Sequence, residues 1–175
     1  MHSQRPAGSP SRLGRSLQLG GVGVVFKLDA ADTGGAFSVF EHPIAPGILV
    51  FPHVHTREDE YSYVVEGTVG ARVGDEVFEA SAGSCLVKPR GIPHTLWNST
   101  SSTARVLAIV SPGGFERYFE ELAAIFAAGV PPDMHAVAAL VEGYGLKPQL
   151  DWVPQLEQAH GVTLNRPATD AEPDD

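Results

Sequence analysis

The chain has 175 residues, 43% of them hydrophobic, with a formal net charge of −9 and a single cysteine. That length fits one globular domain with extended ends, and one thiol excludes an intrachain disulfide. The acidic balance argues against a nucleic-acid partner and against a polybasic membrane anchor, and no run of about 20 apolar residues offers a membrane span.

Residues 1–16 are rich in Pro, Gly, Ser and Arg without periodicity, and are expected to be a disordered tail. Arg5, Arg12 and Arg15 precede no long apolar run, so a secretory signal is not expected and a cytoplasmic protein is. From Val22 the pattern becomes β. VGVVFKL and AFSVFEH are followed by ILVFPHVH, EYSYVVEG, TVGARVG, EVFEAS, SCLVKP, PHTLWNS and ARVLAIVS. The DAADTGG cluster separates the first pair, and Gly74-Asp75 suits a tight hairpin turn. About nine short strands without an intervening helix predict an all-β fold, an antiparallel barrel over residues 17–112. Cys85, in the apolar run CLV, reads as a buried thiol.

After Pro112 the period changes. Phe115, Phe119, Leu122 and Phe126 lie at helical spacing and predict an amphipathic helix ended by Gly129, its aromatic stripe read as core packing. Pro131, Pro132 and a capping Asp133 open a second short helix that ends near Gly143. Two helices raise the question of a DNA-reading module. Between Glu116 and His160 the only basic residues are Arg117 and Lys147, so the helices are expected instead to close one end of the barrel. The rest of the 113–165 extension, with Trp152 and Pro154, reads as irregular or weakly helical. Residues 166–175 read as a solvated acidic tail, with Asp170, Glu172, Asp174 and Asp175.

The chemistry lies in two glycine-bounded blocks. His53 and His55 are separated by one residue, so on a strand both imidazoles project from one face. A carboxylate and a further imidazole would complete a nitrogen/oxygen site for a divalent first-row metal. Glu58, Asp59 and Glu60 compete for the carboxylate role. Spacing favours Glu60, leaving Glu58 and Asp59 in a turn facing water. The first block runs Gly47, His53, His55, Glu60, Gly67; the second runs Gly83, Pro89, Gly91, His94, Asn98; 15 residues separate them.

Position for position, the two blocks resemble the paired motifs of the cupin superfamily. The resemblance implies a double-stranded β-helix, or jelly-roll, barrel with two short C-terminal helices. It implies His53, His55, Glu60 and His94 as metal ligands. Three neutral imidazoles and one carboxylate suit Fe, Mn, Ni, Co, Cu or Zn rather than Mg or Ca, and give a bound site a charge near +1. Pro89-Arg90-Gly91 reads as the turn that aims His94 inward.

Parity around the ligands predicts the substrate pocket. Leu49 and Phe51 share the face of His53 and His55, Ser62 and Val64 that of Glu60, and Leu96 and Asn98 that of His94, while Tyr61 and Tyr63 point away. Asn98 also suits a strand-end hydrogen bond to backbone, and Ser62 a small polar filler. Lys88 and Arg90 are expected to snorkel outward, and His42 to be structural. His2, His135 and His160 are expected to be solvated.

Along the whole chain, HVHTREDEYSYVVEG and PGGFERYFEELA are similar to the small bacterial quercetin-dioxygenase-like group. That likeness implies a metal-dependent dioxygenase acting on a small aromatic or enolic substrate, with Glu60 as ligand and proton acceptor. A non-redox isomerase, cyclase or lyase, and a non-catalytic binding cupin, remain as alternatives. Cupin barrels often pair through edge strands, so a homodimer is compatible with the resemblance.

Overall fold

In a computed structural model, residues 15–129 and 131–166 of the chain are described. The expected N-terminal and acidic tails lie largely outside them, as does His2. Strands β1 (Ser16–Leu19), β2 (Val22–Leu28), β3 (Ser38–Ile44), β4 (Ile48–Leu49), β5 (His53–His55) and β6 (Asp59–Glu66) come first. They are followed by β7 (Thr68–Val73), β8 (Glu76–Ser81), β9 (Cys85–Lys88), β10 (His94–Asn98) and β11 (Ala104–Ser111). Helices α1 (Glu116–Ala127) and α2 (Met134–Gly143) precede β12 (Leu146–Pro148), α3 (Val153–His160) and β13 (Thr163–Leu164).

The strands form two sheets facing each other. One has the order β1-β2-β3-β11-β6-β9; the other runs β12-β5-β10-β4-β13, with β7 on the far side of β10 and β8 beyond it. Pairing is antiparallel throughout except for β13 on β4, which is parallel. The alternation read from sequence shows directly in burial. In β11, Ala104, Val106, Ala108 and Val110 point inward, and in β6 Glu60, Ser62 and Val64 do, while Tyr61 and Tyr63 are each 42% exposed. Ile44, Val64, Val69, Val106 and their neighbours close the barrel's core at one end.

Two close approaches need glycine. Gly70 pairs across the sheet with Trp97, and a Cβ at Gly70 would sit 2.1 Å from the indole. Gly91, at φ +79°, turns the chain before β10 and donates its N–H to the His55 carbonyl at 2.8 Å.

The C-terminal region departs from expectation in two ways. It carries three helices rather than two, because Trp152 and Leu156 bury against Leu49, Trp97 and Val162 and fix α3 on the outer face of the second sheet. It also completes that sheet: β12 pairs with β5, and β13 pairs with β4. Asp133 caps α2 as expected, its Oδ1 accepting the N–H groups of His135 and Ala136. Cys85 is exposed, not buried, since it shares the outward face of β9 with Val87. Among the described residues no helix is long and apolar enough to cross a membrane.

Candidate metal centre and its cavity

His53, His55, Glu60 and His94 come together, each offering one ligand atom, with those atoms all within 4.8 Å of one another. β5 and β10 are direct partners at His53 and His94, while Glu60 arrives from the facing sheet. Each imidazole is oriented through Nδ1. His53 Nδ1 donates to the Phe51 carbonyl at 2.7 Å, and His94 Nδ1 to the Ile92 carbonyl at 3.1 Å. His55 Nδ1 bonds the Glu58 carboxylate at 3.2 Å. All three rings therefore keep Nε2 for the centre, the arrangement that outer hydrogen bonds impose on metal-binding histidines. Glu60 Oε2 lies 3.2 Å from His94 Nε2 and 3.6 Å from His55 Nε2. This donor set fits a divalent transition metal.

Glu60 has a further partner. Lys88, only 2% exposed, sits directly across from it in the β6–β9 register, and its ammonium bonds Oε1. Lys88 therefore points inward, not into solvent: it shares the parity of buried Leu86, and the carboxylate compensates its charge. With Oε1 taken, Oε2 is the oxygen left for a cation. The ammonium adds a positive charge beside the +1 expected from a divalent metal and its ligands, and the Glu58 carboxylate behind His55 offsets it. Glu58 accordingly supports His55 rather than facing water. Asp59 is not in the turn either: it opens β6, clamped by Arg90 through its backbone N–H and guanidinium, and these bonds lower its carboxyl to about 2.

Burial raises the Glu60 carboxyl, but Lys88, His55 and His94 outweigh it and hold the group well below the usual range. Burial and the two neighbouring imidazoles push His53 well down. Burial also lowers His94, against Glu60. Burial opposes charge on His55 too, yet its bonds to Glu58 and Glu60 prevail and raise it.

The cluster lies in a cavity of about 610 Å³, a size suited to a small organic molecule. Phe51, Ser62 and Leu96 line it as read from parity; Leu49, Val64 and Asn98 do not. Leu49 pairs with Trp97 on the outer side, because the strand breaks between β4 and β5 around Pro52 and the alternation restarts, bringing Val50 inward instead. Val64 faces inward but is covered by its neighbours in the core. Asn98 is fully buried, donating to the Ile44 and Ser102 carbonyls and accepting from Thr100.

The aromatic stripe of α1 is cavity wall as well as core: Phe115, Phe119, Leu122 and Phe126 all face the space. Phe115 lies edge-on to His55, centroids 4.8 Å apart. It is placed by Glu116, whose carboxylate accepts from Ser38 Oγ, Ala30 N and Gly114 N and so ties the start of α1 to β3. His42, expected to be structural, also lines the cavity. His160 stacks on Trp97 at 4.3 Å rather than standing free in solvent.

The Cupin domain family matches residues 41–110, which hold all four clustered residues. A stretch of 69 residues is 35% identical to the tetracenomycin polyketide synthase protein TcmJ of Streptomyces glaucescens, covering 39% of this chain and 46% of that protein. The matched stretch thus spans about half the length of that relative. Among solved structures, KdgF from a Halomonas species covers 63% of this chain and 99% of its own, at TM-score 0.57 and 19% identity. An RmlC-like cupin from Shewanella frigidimarina covers 65% and 97%, at TM-score 0.54 and 18% identity. These structures share the fold. Residues 41–110 thus match the cupin domain, and the chain has the cupin jelly-roll fold.

Proposed function

We propose that this cupin is a metal-dependent enzyme acting on a flat aromatic or enolic substrate, and that its reaction is quercetinase-like dioxygenation. The observation that carries the reading is the position of the cluster: three Nε2 atoms and one carboxylate at one end of a 610 Å³ cavity with mainly aliphatic and aromatic walls. His53, His55, Glu60 and His94 would hold a transition metal, which would supply Lewis-acid and oxygen chemistry at this end of the cavity.

The chain's own residues supply the rest. Phe115, Phe119 and Leu122 exclude water and sandwich a planar ring system. Lys88 adds positive charge beside the site and so favours a substrate bound as its enolate. Held ionised by Lys88, Glu60 is in the right state to accept the enol proton, while the same ammonium limits its basicity.

The stretch 35% identical to a tetracenomycin polyketide synthase protein favours a second reading. In it, the same site polarises a carbonyl and directs a non-redox ring closure of a polyoxygenated chain. Oxygen-electrode assays of metal-loaded protein with flavonols and related enols separate the two. Oxygen uptake that is lost in His53→Ala supports dioxygenation. Metal-dependent turnover without uptake supports the second reading. Full loading without turnover across the panel would leave a binding protein.

A further inference from the structure

On the wall formed by the first sheet, two groups keep hydrogen-bonding capacity that the described residues do not use. The Ser62 hydroxyl is buried, 2% exposed for the residue as a whole, and has no hydrogen-bond partner among the described residues. An unmade hydrogen bond at a buried hydroxyl costs about 1–3 kcal/mol, so native proteins rarely leave one without reason. His42, two strands away, uses only one ring nitrogen: Nδ1 donates to the Gly23 carbonyl at 3.0 Å. That bond fixes the tautomer and leaves Nε2 as an acceptor on a ring that lines the cavity. Burial keeps His42 below its ordinary value and therefore neutral, with Lys88 opposing charge and Gly23, Glu60 and Glu41 favouring it.

Register sets the relation between the two groups. Val106 pairs with His42 on β3, and Ala108 pairs with Ser62 on β6, so β11 runs between them. They stand two strand spacings apart, about 10 Å across the sheet. Between them the wall is Val106 and Ala108, short side chains that leave room for a flat molecule to lie against the sheet. The stacked side is provided by Phe119, whose ring centroid is 5.5 Å from that of His42. Of the other polar wall groups, Thr95 is committed to the Val50 carbonyl, and Tyr118 sits on α1, stacked on Phe115.

We propose that His42 and Ser62 form a second polar anchor, which reads oxygens along the edge of a polyoxygenated flat substrate. His42 Nε2 accepts from a phenolic hydroxyl, and Ser62 Oγ bonds a second oxygen farther along the same edge. The proposal rests on the reading of this cavity as the substrate site, and narrows it to molecules carrying a hydroxyl remote from the end that faces the histidine cluster.

The test is a binding comparison on the full chain loaded with zinc. 2,6-Dihydroxynaphthalene and 6-methoxy-2-naphthol have nearly the same shape, and only the first can donate at its far end. The wild type is expected to bind the diol about 5- to 10-fold more tightly, the increment of one net hydrogen bond. Ser62→Ala with His42→Phe removes that preference and leaves zinc stoichiometry unchanged. His42→Gln serves if the phenylalanine variant fails to fold. The proposal is overturned if the diol gains nothing in the wild type, if neither compound binds, if the preference survives in the double variant, or if Tyr118→Phe abolishes it instead. Turnover is not measured here, so loss of the dioxygenase reading in the oxygen assay is a separate result.

Discussion

At the cluster end of the cavity, the inward-facing groups are held from behind. Phe51 O, Glu58 and Ile92 O orient the three imidazoles, and Lys88 holds Glu60. Along the wall that leads toward α1, Ser62 Oγ is without a partner among the described residues and His42 uses one nitrogen of two. The first region is preorganised and satisfied; the second retains hydrogen-bonding capacity beside apolar surface. A binding site needs both kinds, since fixed ligands set the chemistry and unsatisfied groups select what is bound.

The largest effects belong to the satisfied end. His94→Ala removes a ligand and is expected to weaken zinc binding about 100-fold or more, above what loss of an outer partner costs. Calorimetric zinc titration reads this directly, and 6-methoxy-2-naphthol should still enter the cavity. Unchanged zinc affinity would refute the assignment of the cluster.

Lys88→Met leaves Glu60 without its ammonium in a buried setting. Breaking such a pair costs about 3 kcal/mol in the zinc-free protein. Saturating zinc should recover much of that loss, because the cation takes over as the carboxylate's partner. Denaturant unfolding with and without zinc measures both. A loss unaffected by zinc would mean that Lys88 serves packing rather than the Glu60 charge.

Glu116 joins the two regions by fixing α1 over His55. Burial raises its carboxyl, but hydrogen bonds from Ser38, Ala30 and Gly114 outweigh this, and the folded group lies below 4.5. Its contribution is therefore present above pH 4.5 and is lost as pH falls through the folded value. Glu116→Gln should cost about 1–2 kcal/mol near neutrality and flatten the acid limb of the stability–pH profile. An unchanged acid limb would assign that limb to other carboxylates, such as Glu41 with Lys27 and Arg105.

The smallest effect has the opposite sign. Ser62→Ala removes an unsatisfied buried hydroxyl and should stabilise the protein by about 1 kcal/mol, while weakening binding of a polyoxygenated ligand. Thermal denaturation that shows a loss instead would mean that the hydroxyl serves the fold.

Local pattern reaches far in this chain. Period-two alternation predicted which side chains of β6 face inward, and the helical spacing from Phe115 and the Asp133 cap predicted α1 and α2. The cluster was legible because its ligands lie at fixed spacings beside turn-forming Gly and Pro. Parity failed where the strand itself broke: Pro52 interrupts pairing, so Leu49 turned outward and Val50 inward. Lys88 was misread because composition says lysine faces water, although its parity with Leu86 pointed inward. The third helix was read only as irregular or weakly helical because α3 is held by contacts of Trp152 and Leu156 with Leu49 and Trp97, far earlier in sequence.

By itself, then, the sequence pointed to the strands and to helices α1 and α2 through patterns a few residues long, and to the four clustered side chains through two motifs that resemble the cupin pair. Only the tertiary structure decided what surrounds them. Sheet register set Lys88 against Glu60, and α1 carried Phe115 onto His55. Facing walls turned His42, read from sequence as structural, into a cavity group on the same wall as Ser62, which required strands distant in sequence to meet across a sheet.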